Sequence, residues 1–181
     1  SMRLFIGIPL ENRAQEKLTA LYDKLEGFRT VKKENLHITL HFMGEQDEQA
    51  LFAIKAAMEN ACDGFYRFKI SSKRVSGFPS AKSALVAWAN IEDGSGPVKK
   101  LHSLLESGLK KIKYRREKRV FVPHITLARS KQPADISAIA NSLKFEVFSE
   151  ARSCVLYSSS ISSCGPEYKK LYEVSFKERP E

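Results

Sequence analysis

The apolar positions of this chain change period in a regular succession. Residues 2–8 form a short apolar run closed by Pro9, the pattern of a mostly buried strand. Over 11–26, Ala14, Leu18, Leu21 and Leu25 recur at helical spacing until Gly27, which predicts an amphipathic helix. An extended stretch at 30–33 leads to a strand over about 36–42, and Met43-Gly44-Glu45 predicts a turn. Asp47 is placed to cap a second helix with Leu51, Ile54, Met58 and Ala61 inward. Residues 65–75 alternate as a strand, 76–80 have turn composition, and 84–91 predict another strand. After a Gly-rich stretch at 93–97, Ser95 or a neighbour caps a third helix with Val98, Leu101, Leu105 and Leu109 inward. A basic segment and a strand over about 121–129 follow. Asp135 then caps a short helix with Ile136, Ile139, Ala140 and Leu143 inward, and strands over 145–157 and 169–177 close the chain.

The order helix, strand, helix, strand, strand thus describes residues 11–91 and again 95–177, as an internal duplication would. The strand after the first helix of each half carries the same tetrapeptide: His37-Ile38-Thr39-Leu40 recurs as His124-Ile125-Thr126-Leu127. The chain has four histidines, so half of them lead these repeats. In a strand, side chains at i and i+2 share a face. Each copy therefore presents an imidazole beside a hydroxyl while Ile and Leu point into a core. The expected fold is α+β and pseudo-two-fold: one domain over 2–181 with lobes at about 2–92 and 95–181, open to strand exchange. Each lobe is a mostly antiparallel sheet with helices on its outer face, and the two His-x-Thr strands face a cleft between the lobes.

Composition narrows the partner. With 43% hydrophobic and 28% charged residues among 181, the chain is of ordinary globular make-up, but its net charge of +9 favours a polyanion. Cys62, Cys154 and Cys164 are an odd number without C-x-x-C spacing, which argues against a disulfide framework or zinc site. Ser1 before Met2 reads as a cloning remnant. No run is long enough for a membrane span, so a cytoplasmic protein is expected, and a closed bilobal domain with no apolar helix face left exposed is expected to be a monomer.

Two imidazoles suit an in-line displacement at phosphorus, because one can hold a proton while the other lacks it near neutrality. One takes the proton of the attacking oxygen and the other protonates the leaving oxygen. The threonine hydroxyls hydrogen-bond the non-bridging oxygens. The scheme requires no metal or cofactor, and neither motif has a neighbouring Asp, Glu or Cys at ligand spacing.

Leu36-His37-Ile38-Thr39-Leu40 with Phe42-Met43-Gly44-Glu45, and Pro123-His124-Ile125-Thr126-Leu127-Ala128-Arg129, resemble the paired signatures of the 2H phosphoesterase superfamily. The chain is most similar to the RNA 2′,3′-cyclic phosphodiesterases, also called 2′-5′ RNA ligases. Arg3–Pro9, Gly77-Phe78-Pro79 and Gly165-Pro166-Glu167-Tyr168 fall where that family has similar stretches, so the likeness spans the chain. It implies the bilobal 2H phosphoesterase fold and hydrolysis of terminal 2′,3′-cyclic phosphate on RNA, tRNA fragments among the substrates, to 2′-phosphate. No membrane or obligate protein partner is implied. By the same resemblance His37 is the general acid and His124 the general base. Thr39, Thr126 and Arg129 bind phosphate, and Phe42 stacks on the terminal base. Strict alternation would put Phe42 and Arg129 on the face opposite the histidines, so each strand must end or twist first. Joining of RNA ends by a 2′-5′ bond is open to the same site. A non-catalytic RNA- or nucleotide-binding module is the alternative, and a protein-interaction scaffold is a third.

The remaining histidines and the basic run have plainer expectations. His41 belongs at the cleft rim on the His37 face, and His102 on a solvent-facing helix surface. Residues 110–119 carry Lys110, Lys111, Lys113, Arg115, Arg116, Lys118 and Arg119, as a solvated loop or an RNA-backbone contact.

Overall fold

The computed structural model describes residues 2–181; the expectation for Ser1 lies outside them. Its elements are β1 (Met2–Pro9), α1 (Asn12–Thr19), β2 (Arg29–Thr30), β3 (His37–Gln46), α2 (Glu48–Cys62), β4 (Phe68–Ser72), β5 (Val75–Pro79), β6 (Ala84–Asn90), α3 (Ser95–Gly108), β7 (His124–Ala134), α4 (Ser137–Ser142), β8 (Val147–Ala151), β9 (Ser153–Ser162) and β10 (Gly165–Ser175). The fold is α+β with antiparallel strand pairing throughout the ladders, as the duplicated pattern predicts.

Eight strands lie in the order β10-β9-β1-β3-β7-β6-β5, with β2 beside β7, while β4 and β8 form a separate ribbon. Between β3 and β7 the register holds a single pair, Ile38 with Ile125. The sheet is therefore two halves joined at one point, and that point sits between the two His-x-Thr motifs. The halves exchange strands: the β5–β6 hairpin follows β3 in sequence but pairs with β7, and the β9–β10 hairpin follows β7 but pairs with β1. The glycine-rich stretch at 93–97 leads from β6 into α3.

One face of the seam is closed by helices. Ile38, Leu40, Ile125 and Leu127 share a core with Ile54 and Met58 of α2 and Leu101 and Leu105 of α3, all nearly inaccessible to solvent. Asp47 caps α2 as expected, its carboxylate accepting from Ala50 N at 2.9 Å. At α4 the cap position is Ile136 and not Asp135; Asp135, one residue earlier, accepts from Ser137 N at 2.9 Å. The opposite face of β3 and β7 is free to carry chemistry.

Four other local expectations are corrected. The helix over 11–26 ends at Thr19, whose hydroxyl donates to Glu16 O at 2.9 Å, and Tyr22–Lys24 is a separate 3-10 turn. Met43-Gly44-Glu45 is no turn: β3 runs through it with Met43 as an unpaired bulge and Gly44 at φ 65°. Residues 76–80 mostly belong to β5, which tolerates Pro79 because it is the edge of the sheet and pairs only with β6. The predicted strands 65–75 and 145–157 each divide in two, because the first part of each pairs in the β4–β8 ribbon before the chain crosses to the main sheet.

Candidate active site

Each His-x-Thr strand carries a bulge at the same place. Opposite β1, His41 pairs with Ile6 and Thr39 with Gly7, which leaves Leu40 without a partner. Opposite β6, Ala128 pairs with Ala87 and Thr126 with Trp88, which leaves Leu127 without one. Two consecutive residues thus turn inward, Leu40 with His41 and Leu127 with Ala128, all buried. Alternation restarts one residue later, so Phe42 and Arg129 return to the face of the histidines, and both line the same cleft. The two bulges supply the twist that strict alternation lacked.

The imidazoles are held alike. His37 Nδ1–H donates to Asn35 O at 2.6 Å, and His124 Nδ1–H donates to Val122 O at 2.7 Å. A backbone carbonyl two residues upstream therefore fixes each tautomer and leaves Nε2 as the basic atom. His37 Nε2 accepts from the Thr39 hydroxyl at 2.8 Å. Antiparallel pairing about Ile38 and Ile125 sets each histidine across from the other strand's threonine.

Their surroundings differ. The His37 ring lies among Phe5 (5.0 Å between centroids), Tyr168 (5.6 Å, edge-on) and Tyr157 (5.9 Å). Burial there pulls its pKa from 6.5 down to about 4, against the opposing pull of the Asn35 carbonyl; the charges of His124 and Arg129 lower it further. His124 stands edge-on to Phe78 and Trp88, themselves stacked at 4.9 Å. Burial lowers its pKa too, with Arg129 adding to the effect and the Val122 carbonyl opposing it. Near neutrality both rings are therefore uncharged in the free protein.

A cleft of about 220 Å³ is walled by His37, Thr39, Phe42, Thr126 and Arg129, five of the six residues singled out from the sequence. His124 stands outside its wall, on the same strand as Thr126 and near enough for its charge to oppose one on His37. Phe42 is 48% exposed, with the Arg3 guanidinium 5.3 Å from its ring centroid. Among the described residues, no acidic side chain lines the cleft. Among the described residues, no three His, Cys, Asp or Glu side chains gather where they could hold a metal.

Sequence reasoning assigned no role to Asn35, Phe5, Tyr168, Phe78 or Trp88. Asn35 is buried and its amide donates to Pro166 O at 3.1 Å, so one residue joins the His37 tautomer to the tip of the β9–β10 hairpin. Val122 does the equivalent work for His124 through its backbone alone, so no side-chain signal marks such a position.

His41 and His102 correct their expectations. The bulge turns His41 into the core, where Nε2–H donates to His102 O at 2.9 Å and the two rings stack at 4.2 Å. His102 in turn stacks on Phe121 at 3.9 Å and does not simply face solvent. The basic segment has no helix or strand. Arg116 is drawn into the fold, donating to Leu109 O and Ile112 O with its guanidinium 3.4 Å from the Tyr114 ring centroid, while its other Lys and Arg residues are exposed.

Residues 9–155 match the family described as the 2′-5′ RNA ligase superfamily. The chain is 33% identical over 176 residues to a protein of Archaeoglobus fulgidus named RNA 2′,3′-cyclic phosphodiesterase, covering 94% of this chain and 98% of that one. A Thermotoga maritima protein of the same name is 32% identical over 181 residues, covering 97% and 96%. The crystal structure of TT0787 of Thermus thermophilus superposes with a TM-score of 0.81 at 25% identity over 99% of this chain and 100% of that one. E. coli LigT complexed with 3′-AMP gives 0.77 at 23% identity over 98% and 99%, a likeness of fold alone. With a match over most of its length and both His-x-Thr strands in place, this chain belongs to the 2′-5′ RNA ligase superfamily, within the 2H phosphoesterases.

Proposed function

We infer that the protein hydrolyses terminal 2′,3′-cyclic phosphates on RNA to 2′-phosphates, without a metal, by acid–base catalysis between His37 and His124. The observation that carries this reading is the matched pair of imidazoles. Each gives Nδ1–H to a carbonyl two residues upstream and keeps Nε2 for chemistry, with a threonine hydroxyl two residues on. Relatives named RNA 2′,3′-cyclic phosphodiesterase support the same reading.

In the reaction, His124 Nε2 takes a proton from water as the water oxygen attacks phosphorus. The P–O3′ bond breaks, and Nε2–H of a protonated His37 gives its proton to O3′. Burial disfavours the charged form of His37, so the proton is recruited with the substrate, whose phosphate charge favours it. A weakly basic ring is then a ready donor. Thr39 and Thr126 donate to the non-bridging oxygens, Arg129 adds positive charge, and Phe42 offers its exposed face to the terminal base. A 5′-hydroxyl in place of water gives a 2′-5′ linkage through the same centre. The substrates proposed are RNA ends of this kind, tRNA fragments among them, in a cytoplasmic setting.

The test is turnover of a short RNA ending in a 2′,3′-cyclic phosphate, with chelator present. His37→Ala and His124→Ala each lower kcat by about 10²- to 10⁴-fold. The intact protein gives a bell-shaped kcat/KM profile whose optimum lies below pH 6.5, because both imidazoles are depressed from that value. A 3′-phosphate product would reverse the leaving-group geometry. RNA binding without turnover would make the protein a binding module.

A further inference from the structure

We propose that Arg29 and Lys32 form a second phosphate subsite, which takes the phosphodiester linking the terminal nucleotide to the rest of an RNA chain. The proposal rests on the phosphodiesterase reading above. It starts from β2, a strand of only two residues whose register sets Arg29 directly opposite Arg129 and Thr30 opposite Ala128. Like charges facing one another across an antiparallel pair repel. The chain nonetheless holds them there firmly: Val31 N donates to Leu127 O at 2.8 Å, and the Tyr22 hydroxyl donates to Val31 O at 2.6 Å.

Among the described residues neither arginine forms an ion pair, and nor does Lys32, whereas the adjacent Lys33 has Glu16 at 3.2 Å. Arg29, Lys32 and Arg129 wall one cleft, and among the described residues none that lines it is acidic. A cyclic phosphate carries one negative charge, and the reaction centre already offers it Arg129 and two threonine hydroxyls. Two unpaired cations remain, on and just after β2, the strand that continues along the same edge of β7 as β3. An extended polyanion entering along β2 uses both, with its second phosphate on Arg29 and Lys32 and its reacting phosphate between the histidines.

The subsite therefore distinguishes a polynucleotide end from a free cyclic mononucleotide. The experiment compares kcat/KM for a 2′,3′-cyclic mononucleotide with that for a dinucleotide ending in the same cyclic phosphate. A third substrate is the dinucleotide with a neutral methylphosphonate linkage. The intact protein prefers the charged dinucleotide over the mononucleotide by about tenfold or more, the size expected of a charged hydrogen bond. The neutral linkage loses that preference. Arg29→Gln and Lys32→Gln each reduce the dinucleotide-to-mononucleotide ratio several-fold, mainly through KM, and flatten its dependence on salt. An unchanged ratio in the double variant, or a neutral linkage as good as the charged one, overturns the subsite. Should the intact protein turn over neither substrate, the phosphodiesterase reading falls instead. Binding of the uncleaved dinucleotide to the intact and double-variant proteins then decides the subsite by itself, equal affinities overturning it.

Discussion

His37 and His124 reach one tautomer by one device, yet the walls around them have little in common. His37 is enclosed by Phe5, Tyr157 and Tyr168, whereas His124 leans on the Phe78–Trp88 stack. Thr39 has Gly7 across the ladder where Thr126 has Trp88, and the residue returned to the cleft by the bulge is Phe42 on one strand and Arg129 on the other. The repeated parts, a carbonyl at i−2 and a bulge at i+3, belong to the backbone. The parts that diverge are side chains that set basicity and grip the ligand. A duplicated strand can thus keep two imidazoles in register while giving them different surroundings, which is what separates an acid from a base.

The sharpest way to break this asymmetry is at Gly7. A Cβ there would lie 2.8 Å from Ile38 O and 2.9 Å from His37 Cδ2, so Gly7→Ala must displace the imidazole. We expect kcat to fall about 100-fold, as a shift of about 1 Å in a catalytic group produces, with a loss of about 1–3 kcal/mol in stability. Trp88→Ala, at the equivalent place beside Thr126, leaves room instead of filling it and has the smaller effect on kcat. Kinetics and unfolding midpoints on both variants check this, and a Gly7→Ala protein with full kcat would sink it.

Next in size is the contrast between Phe42 and Arg129. Phe42→Ala and Arg129→Ala each lower kcat/KM about tenfold, through lost stacking and a lost charged contact respectively. Only the arginine variant weakens the dependence on salt. Equal salt slopes in the two variants would mean that the equivalent positions do not differ in role.

The smallest effect is on stability against pH. His37 and His102 are both held at about 4 in the folded protein, each chiefly by burial, against 6.5. The unfolded chain therefore binds more protons between these values. Their contribution is complete above about pH 6.5 and is lost as pH falls toward 4. His102→Phe keeps a ring between His41 and Phe121 and removes one titrating group, so the melting temperature declines less steeply over this window. An identical decline would show that the His102 ring takes no part in it.

Periodic features were the legible ones. The helix stripes, the two His-x-Thr strands and their shared face follow from spacings of 3.6 and 2. Bulges break that rule without a compositional mark: Leu40-His41 reads as ordinary alternation, which is why His41 was expected at the rim and lies in the core. Gly77 and Pro79 signal a turn, and only the edge position of β5 makes them strand residues. Arg29 and Lys32 gain meaning from the pairing of β2 with β7, a contact between residues far apart in sequence. The exchange of hairpins is equally long-range, and either pairing would fit the same hydrophobic pattern.

That exchange also orders events on the ribosome. The half of the sheet bearing His124 draws on residues 29–30, 75–79, 84–90 and 124–134, so all its strands have been synthesised by Ala134. The half bearing His37 begins with β1 but is closed by β9 and β10, which end at Ser175. Tyr157 and Tyr168, which shield the His37 ring, are made late, and until then the outer edge of β1 has no partner. The histidine encoded first is the one whose surroundings are finished last, and a nascent chain holds no complete centre until its final hairpin is out.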